Sequence, residues 1–351
     1  MKNPWILVTG ASGFIGGALV KRLVARGECV KGFVRAGANL KTLEGLPPER
    51  FQLAVGDVTV EHTVYRALAS CSQLFHVAGA FQYGPRNAKA MVHEAGLGAR
   101  AVMSAAKRRG IENIVVTSSV ATIGSTEKPE PMDETHAFNL TDPEPYVAAK
   151  VEAARVIDEL VAEGMPIVSV LPCSVFGPGD VKPTPNGASL VQYLTMSPSL
   201  SVPVSEGGIS VVDVDDVVSG HIRAMEVGEV GAKYILGGEN ITYSQFFETL
   251  ADITGLAEPG NPKGPGTLWL LAAALELGAS YSGKPPILTR RLVRDYAHRY
   301  VWVKNERAEN ELDYEHRPVR ETLARSVRWL IENGYVPQRA AERVRLALRP
   351  V

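Results

Sequence analysis

Between residues 5 and 171 the sequence repeats one period: a run of five or six largely apolar, often β-branched residues, a turn, then a longer stretch with helical spacing. The runs are 5–9, 29–34, 51–55, 73–77, 113–118 and 167–171, and the clearest helical stretches are 14–25, 88–109 and 146–163. Strands that are apolar on both faces belong inside a sheet covered on both sides. Parallel strands need helical crossovers, and right-handed crossovers place helices on both faces. The pattern therefore predicts an α/β fold built on a doubly wound parallel sheet.

After Pro172 the texture changes. Residues 177–187 are rich in Gly and Pro, and prolines from Pro198 to Pro286 break the second half of the chain into short pieces. Two apolar runs, 209–214 and 233–236, still have strand character. The expected organisation is a first domain over 1–175 with 209–237 returning to it, a smaller interleaved C-terminal substrate lobe from 176–208 and 238–336, and a tail over 337–351 that is a solvated helix or a fray. The uncharged run 268–275 is too short to span a bilayer and is expected to be a buried helix.

Lys plus Arg number 37 and Asp plus Glu 38, for a net charge of −1. Nucleic-acid binding needs a basic excess that is missing here. Cys29, Cys71 and Cys173 form no Cys-x-x-Cys pair, which excludes a cysteine zinc site and a disulfide framework and points to a reducing, cytoplasmic setting. The N-terminus enters a strand pattern at once, leaving no room for a signal peptide. The seven histidines are scattered, so no metal is expected; His76 reads as a packing residue.

Residues 9–16 read TGASGFIG, directly after the first strand and at the start of the first helix. Glycine removes the Cβ that keeps a phosphate away, and the helix N-terminus offers free N–H groups and a positive dipole end. Gly10, Ser12, Gly13, Phe14, Ile15 and Gly16 form the candidate pyrophosphate cradle of a dinucleotide. Where the second strand ends, an NAD site carries an acid for the ribose hydroxyls; this chain has Arg35, with Lys41 beyond it, which favours NADP(H) over NAD(H). Asp57, followed by Val58 after the third strand, is placed either to accept from an adenine amino group or to cap a helix.

Tyr146 and Lys150 lie four residues apart at the start of a helix preceded by Pro143 and Pro145, so both project from one face. A tyrosine working near neutrality needs its pKa lowered by roughly two to three units from about 10. A lysine, a helix N-terminus and an oxidised nicotinamide supply that together. Thr117, Ser118 and Ser119 stand at the carboxyl end of the fifth strand, where open α/β sheets bind ligands.

With TGASGFIG, GDVT at 56–59, HVAGA at 76–80, TSS at 117–119, YVAAK at 146–150 and LPCSVFGPGD at 171–180, the chain resembles the extended short-chain dehydrogenases/reductases over nearly its whole length. VVDVDDVVSGHIRAME, KYILGGENIT and RAENELDY resemble the dihydroflavonol 4-reductase-like branch of the epimerase/dehydratase group. This branch includes hopanoid-associated epimerase-like and 3β-hydroxysteroid-dehydrogenase-like proteins. The resemblance implies a Rossmann domain, with Ser119 as the catalytic serine, Tyr146 as acid/base, and Lys150 holding the nicotinamide ribose. It further implies Ala78, Gly79, Ala80, Thr117 and Ser118 along the cofactor and Pro172, Cys173, Ser174 and Val175 against the nicotinamide. Phe81, Tyr83, Val120, Ala121 and Phe176 would border the substrate, and 88–109 with 146–163 would form a homodimer seam. Plant dihydroflavonol reductases carry Asn five residues after the serine where this chain has Gly124, which points away from a flavonoid. Val120 and Ala121 stand where 4,6-dehydratases carry an Asp–Glu pair, which points away from that reaction. The expected function is NADP(H)-dependent reduction of a ketone or aldehyde, or its reverse. The alternatives are a sugar-nucleotide epimerase using bound NAD and a non-catalytic dinucleotide sensor.

Overall fold

The structure is a computed structural model and describes residues 4–79, 88–196, 202–282 and 288–345. In chain order the first part comprises β1 (Trp5–Thr9), α1 (Phe14–Ala25), β2 (Cys29–Val34), β3 (Phe51–Val55), α2 (Glu61–Ala67), β4 (Cys71–His76), α3 (Ala88–Arg109), β5 (Asn113–Thr117), α4 (Pro145–Ala162) and β6 (Ile167–Pro172). The rest comprises β7 (Ser174–Phe176), α5 (Pro185–Thr195), β8 (Gly208–Asp213), α6 (Val214–Val227), β9 (Lys233–Leu236), β10 (Glu239–Thr242), α7 (Tyr243–Thr254), α8 (Pro265–Ser282), α9 (Arg290–Tyr296), β11 (Tyr300–Val301), α10 (Glu306–Leu312), α11 (Val319–Glu332) and α12 (Gln338–Arg345).

Seven strands form a parallel sheet in the order β3-β2-β1-β4-β5-β6-β9, a doubly wound Rossmann arrangement with its switch point between β1 and β4. The period of two along β1 is used on both faces. Ile6 and Val8 enter a core with Leu19 and Leu23 of α1 and Val218 and Ile222 of α6, while Leu7 enters the opposite core with Val102 and Met103 of α3 and Val156 of α4. All six residues of β6 are buried. Truncating a core leucine or isoleucine at such positions typically costs ~2–5 kcal/mol, so these two layers fix the sheet that carries the site.

The second lobe has its own sheet, in which β8 pairs with β7, β10 and β11, and its own core, where Leu190, Phe246, Leu250, Leu323 and Leu330 meet. Here the structure corrects the sequence reading. Lys233–Leu236 does return to the main sheet, beside β6, but Gly208–Asp213 does not. The chain steps from one sheet to the other within one strand direction, since β7 follows β6 after Cys173 alone. Of the expected tail, residues 338–345 do form a helix, α12, but not a solvated one, since it buries Ala340, Ala341 and Val344 in the second core; residues 346–351 lie outside the described residues. The apolar run expected to be buried lies in α8, where Leu268 and Ala272 are buried but Trp269, Leu270, Leu271 and Leu277 are exposed.

Candidate active site

The glycine-rich turn leaves β1 and opens α1. Gly10 has φ of +70°, and a Cβ there would lie 2.8 Å from the backbone N and Cα of Ala78. Gly10 therefore lets the β1 turn and the β4 turn touch. The α1 N-terminus, at Gly13, has neither a side-chain cap nor an acidic residue in its first turn. Its N–H groups and dipole are thus committed to no internal anion, the condition an anion-binding terminus requires. Ser12, Phe14 and Ile15 are partly buried around it, the latter two packed against the first core.

Thr9 joins this turn to β4. Its Oγ1 accepts from the Ala78 N–H at 3.2 Å and is hydrogen-bonded to His76 Nδ1 at 2.8 Å. Burial holds His76 neutral, with its pKa pushed down to about 4. His76 thus packs and hydrogen-bonds at the base of the turn. One residue past Ala78, a Cβ on Gly79 would stand 3.2 Å from Lys150 Nζ. Residues 76–79 therefore run from the glycine turn to the lysine, bringing together two motifs separated by more than a hundred residues of sequence. Ala80, Phe81 and Tyr83 lie outside the described residues.

Arg35 follows β2 directly and is exposed, and Lys41 is exposed at the start of a short 3-10 turn. Thr42 of that turn packs on Gly17 of α1, so both cations sit on the rim around the glycine turn. Asp57 does not cap α2, whose N-cap is Val60. Its Oδ1 accepts from the N–H and hydroxyl of Thr59, both at 2.8 Å, and these bonds lower its pKa, with Arg35 adding to the effect. Val58 packs toward Gly98 of α3.

β5 ends at Thr117. Ser118 N–H continues the pairing with Val170 O at 2.8 Å, and Ser119 caps a 3-10 turn over Val120–Thr122, its Oγ accepting from Ala121 N–H at 3.2 Å. Pro145 and Tyr146 open α4, where Pro145 suits the first helical position, and Tyr146 is 9% exposed. One turn on, the mostly buried Lys150 reaches back to β5, with Nζ 3.4 Å from both the Thr117 and the Ser118 carbonyl oxygens. Desolvation pulls its pKa down to about 8. Ser119 and Lys150 thus meet at the carboxyl end of β5, and Tyr146 lies one helical turn before Lys150 on α4.

Pro172, the end of β6, pairs with Leu236, and Cys173 N–H bonds the Leu236 carbonyl at 3.3 Å. Burial raises the Cys173 thiol to about 12, which removes it as a nucleophile at neutral pH. Ser174 and Val175 pair with β8. Two expected substrate contacts are packed away. Val120 is buried with Ile123, Met132 and Val303, and Phe176 lies in the second core with its ring 5.5 Å from Phe246. Ala121 remains partly exposed.

Three features are not legible in the sequence motifs. Thr9 ties the turn to His76. His221, from α6, has Nδ1 2.7 Å from Val217 O and Nε2 2.7 Å from Thr117 Oγ1. The carbonyl fixes the proton on Nδ1, so the Thr117 hydroxyl donates to Nε2 and β5 is pinned beside the serine. The α9 region grips the entry to α4. Thr289 donates to buried Glu144 at 3.0 Å, Arg291 pairs with Asp142 at 2.6 Å, and Arg294 donates to the Asp142 carbonyl. Each partner comes from over a hundred residues away, and only the helix N-cap position of Glu144 hints at it.

The model of the NAD dependent epimerase/dehydratase family matches residues 6–237. A Synechocystis sp. protein provisionally named dihydroflavonol 4-reductase is 31% identical over 348 residues, covering 95% of this chain and 98% of its own length. Cinnamoyl-CoA reductase 1 of rice is 27% identical over 345 residues, covering 95% and 92%. The crystal structure of gox2253 superposes with a TM-score of 0.82 at 31% identity, covering 95% of this chain and all of that one. The matched stretch takes in the glycine turn, Ser119, Tyr146 and Lys150. The chain belongs to the NAD-dependent epimerase/dehydratase family of extended short-chain dehydrogenases/reductases, on its dihydroflavonol 4-reductase-like side.

Proposed function

We propose that the protein is an NADP(H)-dependent oxidoreductase that reduces a ketone or aldehyde to an alcohol, with Ser119, Tyr146 and Lys150 as its catalytic residues. The observation that carries this reading is the place of Lys150. A mostly buried ammonium is expensive, and here two strand-end carbonyls beside Ser119 hold it one helical turn from Tyr146. Its charge and the α4 N-terminus both favour the phenolate, which draws the tyrosine toward the range where it exchanges protons near neutrality. Ser119 Oγ already accepts from Ala121 N–H, so its own hydrogen is left to donate to a substrate oxygen. A reduced nicotinamide, when bound along the glycine turn, supplies hydride to a carbonyl carbon. Tyr146 gives its proton to the carbonyl oxygen, so that C–H and O–H bonds form as the C=O π bond is lost.

Reduction is favoured over epimerisation by the β2 end, where exposed Arg35 suits a 2′-phosphate and no acid follows directly. The dihydroflavonol and cinnamoyl-CoA relatives carry reductase names, which supports the same direction. The test is Tyr146→Phe, assayed as NADPH consumption with a panel of ketones and aldehydes. Turnover should fall at least ~100-fold, the lower end of what a positioned acid contributes, with NADPH affinity intact. Protein that retains NAD+ and inverts a sugar carbon without net NADPH loss is an epimerase instead. Cofactor binding with no turnover on any substrate of either class favours a sensor.

We also propose a homodimer through the outer faces of α3 and α4 and, given three free cysteines, a reducing cytoplasmic setting. The seam is narrower than the small residues suggest, since Gly96 faces Glu152, Gly98 faces Val58, and Ala99 and Ala149 are buried within the chain. Leu97 at 44% exposure and the partly exposed Ala95, Ala148, Ala153 and Ala154 remain. Light scattering at micromolar concentration decides it; a monomer refutes it.

A further inference from the structure

Helix α8 runs for 18 residues with a single charge, Glu276. It buries one narrow stripe, Leu268 and Ala272, against Val293 of α9. The opposite face of a helix on a soluble protein is ordinarily polar. Here it carries Leu270 at 67% exposure and Leu277 at 62%, with Trp269 at 46% and Leu271 at 37% on the flanks. The one acid is neutralised, because Arg290 pairs with Glu276 at 2.7 Å and lays its guanidinium 5.4 Å over the Trp269 ring.

Cations rim this face. The α9 side chains of Arg290, Arg291 and Arg294 are 50%, 36% and 48% exposed, whereas Glu276 and Asp295 are 24% and 4% exposed. Asp142, in the loop before α4, is itself exposed and pairs with Arg291 and Arg294. Among the described residues, Lys263 and the three arginines make four cations against the three acids Glu276, Asp295 and Asp142, on a chain whose net charge is −1.

We propose that the α8–α9 face docks on an anionic lipid bilayer, with α8 lying in the plane of the interface. Exposed leucines and a tryptophan on α8, beside arginines supplied by α9, form an apolar surface with a basic edge of the kind that meets lipid headgroups. A second copy of the chain fits the area poorly. At 1.5 Å rise and about 10 Å width the helix presents on the order of 300 Å², well below the roughly 800 Å² per partner of a stable dimer. Among the described residues no helix is long and apolar enough to cross the membrane, so α8 lies on it. The inference rests on no part of the reductase reading.

The probe is the full chain mixed with sucrose-loaded vesicles of phosphatidylcholine with and without phosphatidylglycerol. The wild-type protein should sediment with the anionic vesicles and less with the neutral ones, and its tryptophan emission should shift to the blue. Leu270→Glu combined with Leu277→Glu should weaken vesicle binding at least tenfold, with thermal midpoint and NADPH affinity unchanged because both side chains face solvent. Trp269→Phe should abolish the blue shift. A wild type that stays in the supernatant, or a double variant that binds as well as the wild type, overturns the proposal. Loss of self-association in the double variant with no vesicle binding by the wild type assigns the face to a second copy.

Discussion

A Cβ on Gly16 would overlap the carbonyl oxygen of Gly10. The two glycines are six residues apart, and their contact closes the turn between β1 and α1. No rotamer relieves the overlap, because the atom met is backbone.

Gly16→Ala should therefore displace the turn. Overpacking of this kind costs ~1–3 kcal/mol, and the misdirected N–H groups should weaken NADPH binding at least about tenfold. Calorimetric titration together with a thermal melt checks both effects. A variant that binds as the wild type removes the turn from the cofactor site.

Arg35→Ala tests cofactor choice. A charge-assisted bond to a 2′-phosphate contributes roughly 1.5–3 kcal/mol, or about 10- to 150-fold. NADPH affinity should fall by that factor while NADH affinity stays level. If discrimination is unchanged, Lys41 carries the selectivity or the protein prefers NAD.

Lys150 gives a pH signature. Its folded pKa lies near 8 against an ordinary value of 10.5, so below about pH 8 the folded state bears the full cost of the charge. Between about pH 8 and 10.5 the folded protein sheds this proton before the unfolded chain does, so the group's contribution to stability rises with pH across that window. Lys150→Met should remove that slope, raise stability near pH 7 by up to about 3 kcal/mol, and abolish turnover. Urea titrations at pH 7 and pH 10 measure it. Lower stability of the variant at pH 7 would show that the two carbonyl bonds outweigh desolvation.

The first half of the fold is legible in the sequence because its signals are local. Strands that are apolar on both faces and the 3.6-residue spacing of α1 and α3 place those elements, as the agreement over Phe14–Ala25 and Ala88–Arg109 shows. The glycine motif and the Tyr146–Lys150 spacing likewise depend only on backbone geometry within a few residues. Which sheet β8 joins is not local: a short strand such as GISVVD carries the same pattern in either sheet, and pairing with β7 and β10 decides it. The same holds for Phe176, aromatic and near the site in sequence, which the second core claims. It holds also for His221, which reaches Thr117 only because α6 packs beneath β5. Helix α8 shows the limit most plainly. Its composition reads as interior, yet burial depends on what covers a surface, and within the described chain only one stripe of it is covered.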